Sequence, residues 1–240
     1  MSTMKIGKVI AYWLLICCIP LFVITSNIRW GVNELRIYEY GVDTYQISHV
    51  TGIAKPELMK VHQHLIDYYN SKVDSPQVTV LRAGEKIDVF NEKELVHLQD
   101  VKGLIQVDYT VQLVTLLLMI ICVLVLLLWL RDTWRTVVRG VWWGNVATFG
   151  LMIFLALCAL FGFEQLFVLF HLLSFTNEFW ILDPRKDYLI MLFPGGFFYD
   201  VALLSFGAVI AESLILGGIV CCVLRFQRGW FLMAIAATGR

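Results

Sequence analysis

The chain has 240 residues, 59% of them hydrophobic and 16% charged, with 19 basic against 19 acidic side chains. This composition argues against an ordinary soluble domain and fits a set of membrane spans carrying one modest polar segment. Zero net charge and scattered basic residues leave no nucleic-acid footprint, and all six cysteines fall in apolar runs, which leaves a disulfide framework unsupported.

Lys5 and Lys8 precede an uncharged run from Val9 to Ile28, long enough to cross a hydrocarbon core of about 30 Å at about 1.5 Å per residue. Its exit, VITSNIRW, lacks a small-x-small cleavage site, so the run reads as a retained anchor. Cys17 and Cys18 lie inside it without the small residues that a lipoprotein signal carries, and they read as apolar filler with Cys122 and Cys158. Cys221 and Cys222 carry the same reading, with palmitoylation as the alternative.

The segment 29–108 is polar and holds four of the five histidines. Lys55 to Asn70 has Pro56 near its start and Leu58, Val61, Leu65 and Tyr68/Tyr69 at helical spacing, which predicts an amphipathic helix. His62 and His64 on it point to different faces and read as a solvated surface, not a metal pair. From Gln77 to Phe90 apolar and polar residues alternate around Ala83-Gly84, predicting a hairpin. Asn91 followed by Glu94 makes a capping box for a further helix that carries His97 and Asp100, with Gly103 as a hinge before the next span.

Residues 109–130 form a second uncharged span, and a connector at 131–139 follows with Arg131, Arg135 and Arg139 against one acid. A third span runs over 140–171, a loop over 172–200, a fourth span over 201–224, and a tail over 225–240 too short to cross again. The lysine and arginine bias puts residues 1–8, the connector and Arg225/Arg228 on one side, expected to be cytoplasmic, with 29–108 and 172–200 outside. The expected fold is therefore a membrane α-helical, four-transmembrane-helix bundle with a small mixed α/β extracytoplasmic domain between spans 1 and 2.

Ionisable groups at membrane depth are expensive and point to function unless paired. Glu212 in the fourth span reads as structural, hydrogen-bonded to a neighbouring helix; Glu164 lies on nearly the same helical face as His171. His97 and His171 each sit at an expected outer boundary with an acid within a turn or two, Asp100 and Glu164; a carboxylate or a backbone carbonyl on one ring nitrogen fixes the tautomer. A histidine capping a span would look the same at His171. No nucleophile elbow, phosphate loop or dinucleotide fingerprint accompanies them, so neither a covalent acyl-enzyme nor a nucleotide cofactor is suggested, and no metal motif is present.

FNEKELVHLQDVK at 90–102, FHLLSFTNEFWILDP at 170–184, DYLIMLFPGGFF at 187–198 and HLIDYYN at 64–70 make the chain resemble the bacterial lipoprotein intramolecular transacylase family, Lit, over nearly its whole length. The resemblance implies transfer of the sn-2 acyl chain of a diacylglyceryl-modified lipoprotein to the α-amine of its own N-terminal cysteine, at the outer leaflet of the cell membrane. It implies His97 and His171 as the catalytic pair and Tyr69, Asn70, Asp100, Lys102, Trp180, Asp183 and Asp187 as substrate contacts. It implies no cofactor, a lipoprotein and membrane lipid as partners, and a monomer. Leu98 stands where the family usually has methionine. A non-enzymatic envelope or receptor protein is the alternative; a transporter using Glu164 and Glu212 is weakened by having only four spans and no inverted repeat.

Overall fold

The computed structural model describes the backbone of residues 3–129 and 133–238 and the side chains of residues 4–129 and 133–224. Arg131 and Asp132 of the expected connector, and the side chains of Arg225, Arg228 and the 229–240 tail, lie outside the described residues. Among the described residues four helices are long and apolar enough to cross a membrane: Met4–Asn33, Glu92–Trp129, Trp134–Ser174 and Gly195–Leu224. They belong to helices α1 (Thr3–Asn33), α5 (Glu92–Leu124, continued by a π-helical turn at Val125–Trp129), α6 (Trp134–Ser174) and α8 (Gly195–Thr238). The contacts divide the chain into two compact units, one of residues 1–27, 110–155 and 206–240, the other of 28–109 and 156–205.

The first unit is all helix. Ala11, Leu15 and Ile19, at i, i+4 and i+8 on α1, bury themselves against Cys122 and Leu126, with Val137 and Val141 of α6 alongside. Gly140 and Gly144 form a small-xxx-small pair facing α1. A Cβ at Gly144 would lie 2.6 Å from Ile19 Cδ1, 2.9 Å from Ile19 Cβ and 3.1 Å from the Ile16 carbonyl oxygen, so the approach of α6 to α1 there needs glycine. Apolar residues give helices little preference for one another in lipid, so polar bonds carry much of the specificity. Gln112 Nε2 donates to Ser26 Oγ (3.0 Å), tying α5 to α1. Asn145 Nδ2 donates to the Ser213 carbonyl (2.9 Å), tying α6 to α8. Asn27 Nδ2 donates to Glu212 Oε2 (2.9 Å), tying α1 to α8.

The second unit packs the short helices α2 (Leu35–Thr44), α3 (Ile47–Thr51), α4 (Lys55–Tyr69) and α7 (Tyr188–Leu192) around the first part of α5 and the start of α8. Its core joins Tyr38, Ile47, Ile53, Leu58, Leu65, Val80, Phe90, Leu98, Ile105, Leu192 and Phe193. Among the described residues the strands are those of one hairpin, β1 (Thr79–Arg82) against β2 (Glu85–Asp88), so the unit is mainly helical. Ala83 (φ 51°) and Gly84 (φ 88°) both take positive φ, the conformation of a two-residue type I′ turn, whose twist matches that of the paired strands. The hairpin docks through an Ile53–Arg82 bridge and through the Leu81 amide, which donates to Glu57 Oε2 (3.2 Å). Tyr40 and Tyr45 hydroxyls both donate to Asp200 Oδ2 (2.9 and 2.6 Å), fastening α2 to α8.

Two sequence expectations need correction. No hinge forms at Gly103, because α5 passes through it unbroken. Leu98 and Ile105 on either side are both in the core, and their packing outweighs the roughly 1 kcal/mol that glycine costs inside a helix. His62 is not on a solvated face: it is 1% exposed, with its ring 5.2 Å from Tyr38 and 5.3 Å from Phe193. It falls at i+4 from Leu58 and belongs to the same buried face as Val61, Leu65 and Ile66. Neither ring nitrogen has a hydrogen-bond partner, and burial lowers the pKa from 6.5 to about 4, so the ring is neutral in the fold. His64 is half-buried and pairs with the Ser75 carbonyl (2.9 Å).

Candidate active site

α5 begins with the expected capping box. The Asn91 amide donates to Glu94 Oε2 (2.8 Å), and the Glu94 amide donates back to Asn91 Oδ1 (3.1 Å). One turn on, His97 points into the second unit and is 7% exposed. α6 leaves helical geometry at Gly162 (φ −161°, ψ 48°) and resumes, stacking Phe163, Phe167 and His171 at intervals of four along one face. His171, 8% exposed, has its ring 4.3 Å from Phe167.

The two histidine rings face each other with centroids 6.1 Å apart and planes inclined by 30°. Phe175 closes one side of the pair, 5.1 Å from His97 and 5.6 Å from His171, and Trp180 lies 4.9 Å from His171. His171 Nδ1 is 2.7 Å from the Phe167 carbonyl. A carbonyl can only accept, so Nδ1 carries the proton and the lone pair is on Nε2. His97 Nδ1 is buried without a hydrogen-bond partner. The acids expected to orient the two rings are engaged elsewhere or turned away: Asp100 Oδ2 accepts from Asn177 Nδ2 (2.8 Å), and Glu164 is exposed.

The loop between α6 and α7 is held over the pair by bonds to α5. Beside the Asn177–Asp100 bond, Lys93 donates to the Ile181 carbonyl and Asn91 Nδ2 to Asp187 Oδ1 (2.9 Å). Asp187, 2% exposed, takes the Asp183 amide on its other oxygen (2.7 Å). The Leu189 amide donates to Glu94 Oε1 (2.6 Å), and Glu94 is fully buried. Asp183 is half-buried beside Arg185, whose guanidinium hydrogen-bonds the carboxylate and, with the Arg185 amide, lowers its pKa to about 2.

The fold thus brings His97, His171, Asp100, Trp180, Asp183 and Asp187 into one neighbourhood. Tyr69, Asn70 and Lys102 gather elsewhere, where α4 meets α5. Asn70 Nδ2 donates to Asn33 Oδ1 (2.6 Å) and the Ile66 carbonyl (2.8 Å), and the Tyr69 carbonyl accepts from Gln106 (2.6 Å). Lys102 Nζ sits 4.1 Å over the Tyr68 ring. None of these bonds reaches either histidine. Phe167, Phe175 and Asn177 at the site were not singled out from sequence. Phe175 and Asn177 follow His171 at four and six residues, but only the folded loop shows what they touch. Among the described residues no cluster of three or more metal-ligating side chains occurs.

The sequence profile described as "Lipoprotein intramolecular transacylase Lit" matches residues 13–198, which includes the whole of this neighbourhood. The chain belongs to the lipoprotein intramolecular transacylase family. The Lit from Bacillus cereus, an integral membrane protein solved in meso, has the same fold: TM-score 0.77 at 21% identity, covering 92% of this chain and 97% of that one. Two variants of that Lit, with one histidine changed to arginine or to alanine, superpose with TM-scores of 0.72 and 0.71 at 21% and 22% identity. They cover 92% of this chain each, and 93% and 95% of theirs. No curated protein matches. As a Lit family member with four candidate spans, the protein is a multi-pass membrane transferase acting on lipoproteins.

Proposed function

We propose that the protein moves the sn-2 acyl chain of a diacylglyceryl-cysteine lipoprotein to the α-amine of the same cysteine, with His97 and His171 as general acid and base. The observation that carries this reading is the 6.1 Å separation of two buried imidazoles drawn from segments more than seventy residues apart in sequence. The reaction needs a group that removes a proton from the amine and a group that returns one to the departing glycerol oxygen, at opposite ends of one tetrahedral intermediate. A C–N bond forms, the C–O ester bond breaks, and one proton passes from nitrogen to oxygen. Ester aminolysis runs downhill, and donor and acceptor share one molecule, so high effective molarity supplies much of the rate once the substrate is folded back on itself.

The tautomer of His171 supports one division of roles. His171 offers its Nε2 lone pair as base toward an α-amine whose pKa is about 8, and His97 supplies the proton to oxygen. Both Asn70 Nδ2 protons are already donated, so the oxyanion falls to the Trp180 indole N–H beside His171 or to a loop amide. Asp100, Asp183 and Asp187 stand behind this inner group, and Tyr69, Asn70 and Lys102, gathered where α4 meets α5, are assigned to substrate contact apart from it. The site lies at the outer leaflet, with both termini and the 131–139 connector cytoplasmic, 29–108 with its helices and hairpin outside, and the enzyme acting as a monomer; the lysine and arginine bias supports this orientation.

Mass spectrometry of a lipoprotein N-terminus from cells with and without the gene tests the reaction. Fragmentation is expected to show the isobaric N-acyl, S-monoacylglyceryl isomer only when the protein is present. Replacing His97 or His171 by alanine should lower transacylation by roughly 10²–10⁴-fold with folding intact, and the double variant should be little worse than the worse single one. Near-normal turnover in either single variant refutes the assignment.

A further inference from the structure

Glu94 and Asp187 are two buried carboxylates, on α5 and just before α7, and among the described residues no cation makes an ion pair with any of their four oxygens. Each oxygen instead takes one N–H: Glu94 from the Asn91 and Leu189 amides, Asp187 from the Asn91 side chain and the Asp183 amide. Asn91 is the shared piece, donating its backbone N–H to one carboxylate and its side-chain N–H to the other. An ionised carboxylate is acceptor-only, and every partner here is a donor, so the arrangement is complete as it stands. An amide put in place of either acid would turn an N–H toward an N–H.

This network encloses the segment that carries Trp180. It fixes the loop at Asp183, Asp187 and Leu189, while Asn177 on Asp100 holds its other end. Glu94 and Asp100 are each three residues from His97 on α5, so the same stretch of helix that presents His97 also holds both ends of the loop lying on His171. We infer that Glu94 and Asp187 are positioning residues that lock the 177–189 loop onto the start of α5 and thereby set Trp180 and His171 against His97. The inference rests on the two-histidine reading of the site. It gives Asp187 a partner inside the protein, whereas the family resemblance suggested a substrate contact.

The test is a reciprocal exchange in the full-length enzyme in detergent micelles. Asp187→Asn alone leaves Asn91 Nδ2 facing a second amide donor or strips the Asp183 amide of its acceptor. Turnover at saturating substrate should then fall about 10²-fold, the scale of an ångström-level misplacement, with KM within a few-fold of wild type. The amides of Asp183 and Leu189 should exchange hydrogen faster by mass spectrometry. Adding Asn91→Asp reverses the donor and acceptor across the same contact, since an aspartate at 91 can accept from an asparagine at 187 and still cap the Glu94 amide. The double variant should recover amide protection and turnover to within a few-fold. Glu94→Gln, read the same way, supplies the answer should the exchange variant fold poorly.

Faster amide exchange with wild-type turnover in Asp187→Asn overturns the positioning role. So does an exchange variant that regains protection and stays inactive, which would put the Asp187 carboxylate on the substrate. Full activity in His97→Ala or His171→Ala would instead remove the two-histidine reading, and the amide-exchange results would still report whether the lock exists.

Discussion

His62 offers a quantitative test of the core beneath the site. Its ring is buried between Tyr38 and Phe193 with both nitrogens unpaired, and its pKa is lowered from 6.5 to about 4. Folding therefore favours the neutral form. The stability this contributes is fully present above pH 6.5 and is lost as pH falls toward 4, because the unfolded chain takes up a proton that the fold refuses. With those two pKa values the loss is on the order of 1 kcal/mol at pH 5.5 and roughly 2–3 kcal/mol at pH 4.5. For a chain of this size that corresponds to roughly 5–10 °C in melting temperature at pH 4.5. His62→Leu removes the titrating group and fills the site with an apolar side chain of similar size. At pH 7.5 it should be neutral or slightly stabilising, since two unpaired polar atoms leave the core. Melting curves in detergent, followed by tryptophan fluorescence between pH 7.5 and 4.5, should diverge as the pH falls, with the variant losing less. Parallel curves for variant and wild type across that range would refute a neutral, desolvated His62.

Gly144→Ala should destabilise the all-helical unit by about 1–3 kcal/mol, because the new methyl meets the stiff β-branched Cβ of Ile19 and the Ile16 carbonyl; a melting temperature unchanged within a degree contradicts the close approach. Glu212→Gln should keep most transacylation, since an amide oxygen accepts from Asn27 as well as a carboxylate oxygen does; loss of turnover in a folded variant would make Glu212 part of a proton path. In a cysteine-free background, a cysteine at Gly84 on the hairpin should react with an impermeant maleimide applied to intact cells, and one at Thr133 should not; the reverse pattern refutes the proposed orientation.

The four spans were legible because about twenty consecutive apolar residues have few other uses, and the hairpin because Ala83-Gly84 interrupts a clean alternation. The capping box was legible because its chemistry is local: Asn91 and Glu94 complete each other within one turn. Much else was set at a distance. Helices α3 and α7 are five residues each, too short for a periodic signal, and they exist because they pack on each other. At His62 residue type and period point opposite ways: a histidine suggests the surface, while the spacing of Leu58, Val61, Leu65 and Ile66 includes it in the buried face, and the period prevails. For the groups that orient the histidines, nearness in sequence offers Asp100 and Glu164, with a backbone carbonyl as the alternative, and the fold takes the alternative at His171. His171 satisfies its Nδ1 with a carbonyl of its own preceding turn, and Asp100 is taken by Asn177 from seventy-seven residues away.

The four bonds around Glu94 and Asp187 are charge to dipole, and among the described residues no lysine or arginine forms an ion pair with either carboxylate. Attraction between exposed ions fades within a Debye length of about 8 Å at physiological salt and shorter at higher salt, whereas short buried bonds from amides to carboxylates are scarcely screened. The one long-range Coulomb effect between these two acids is their mutual repulsion, which added electrolyte can only reduce. Closure of the loop is thereby uncoupled from ionic strength, and brine that would loosen a loop tethered by ion pairs leaves this one shut.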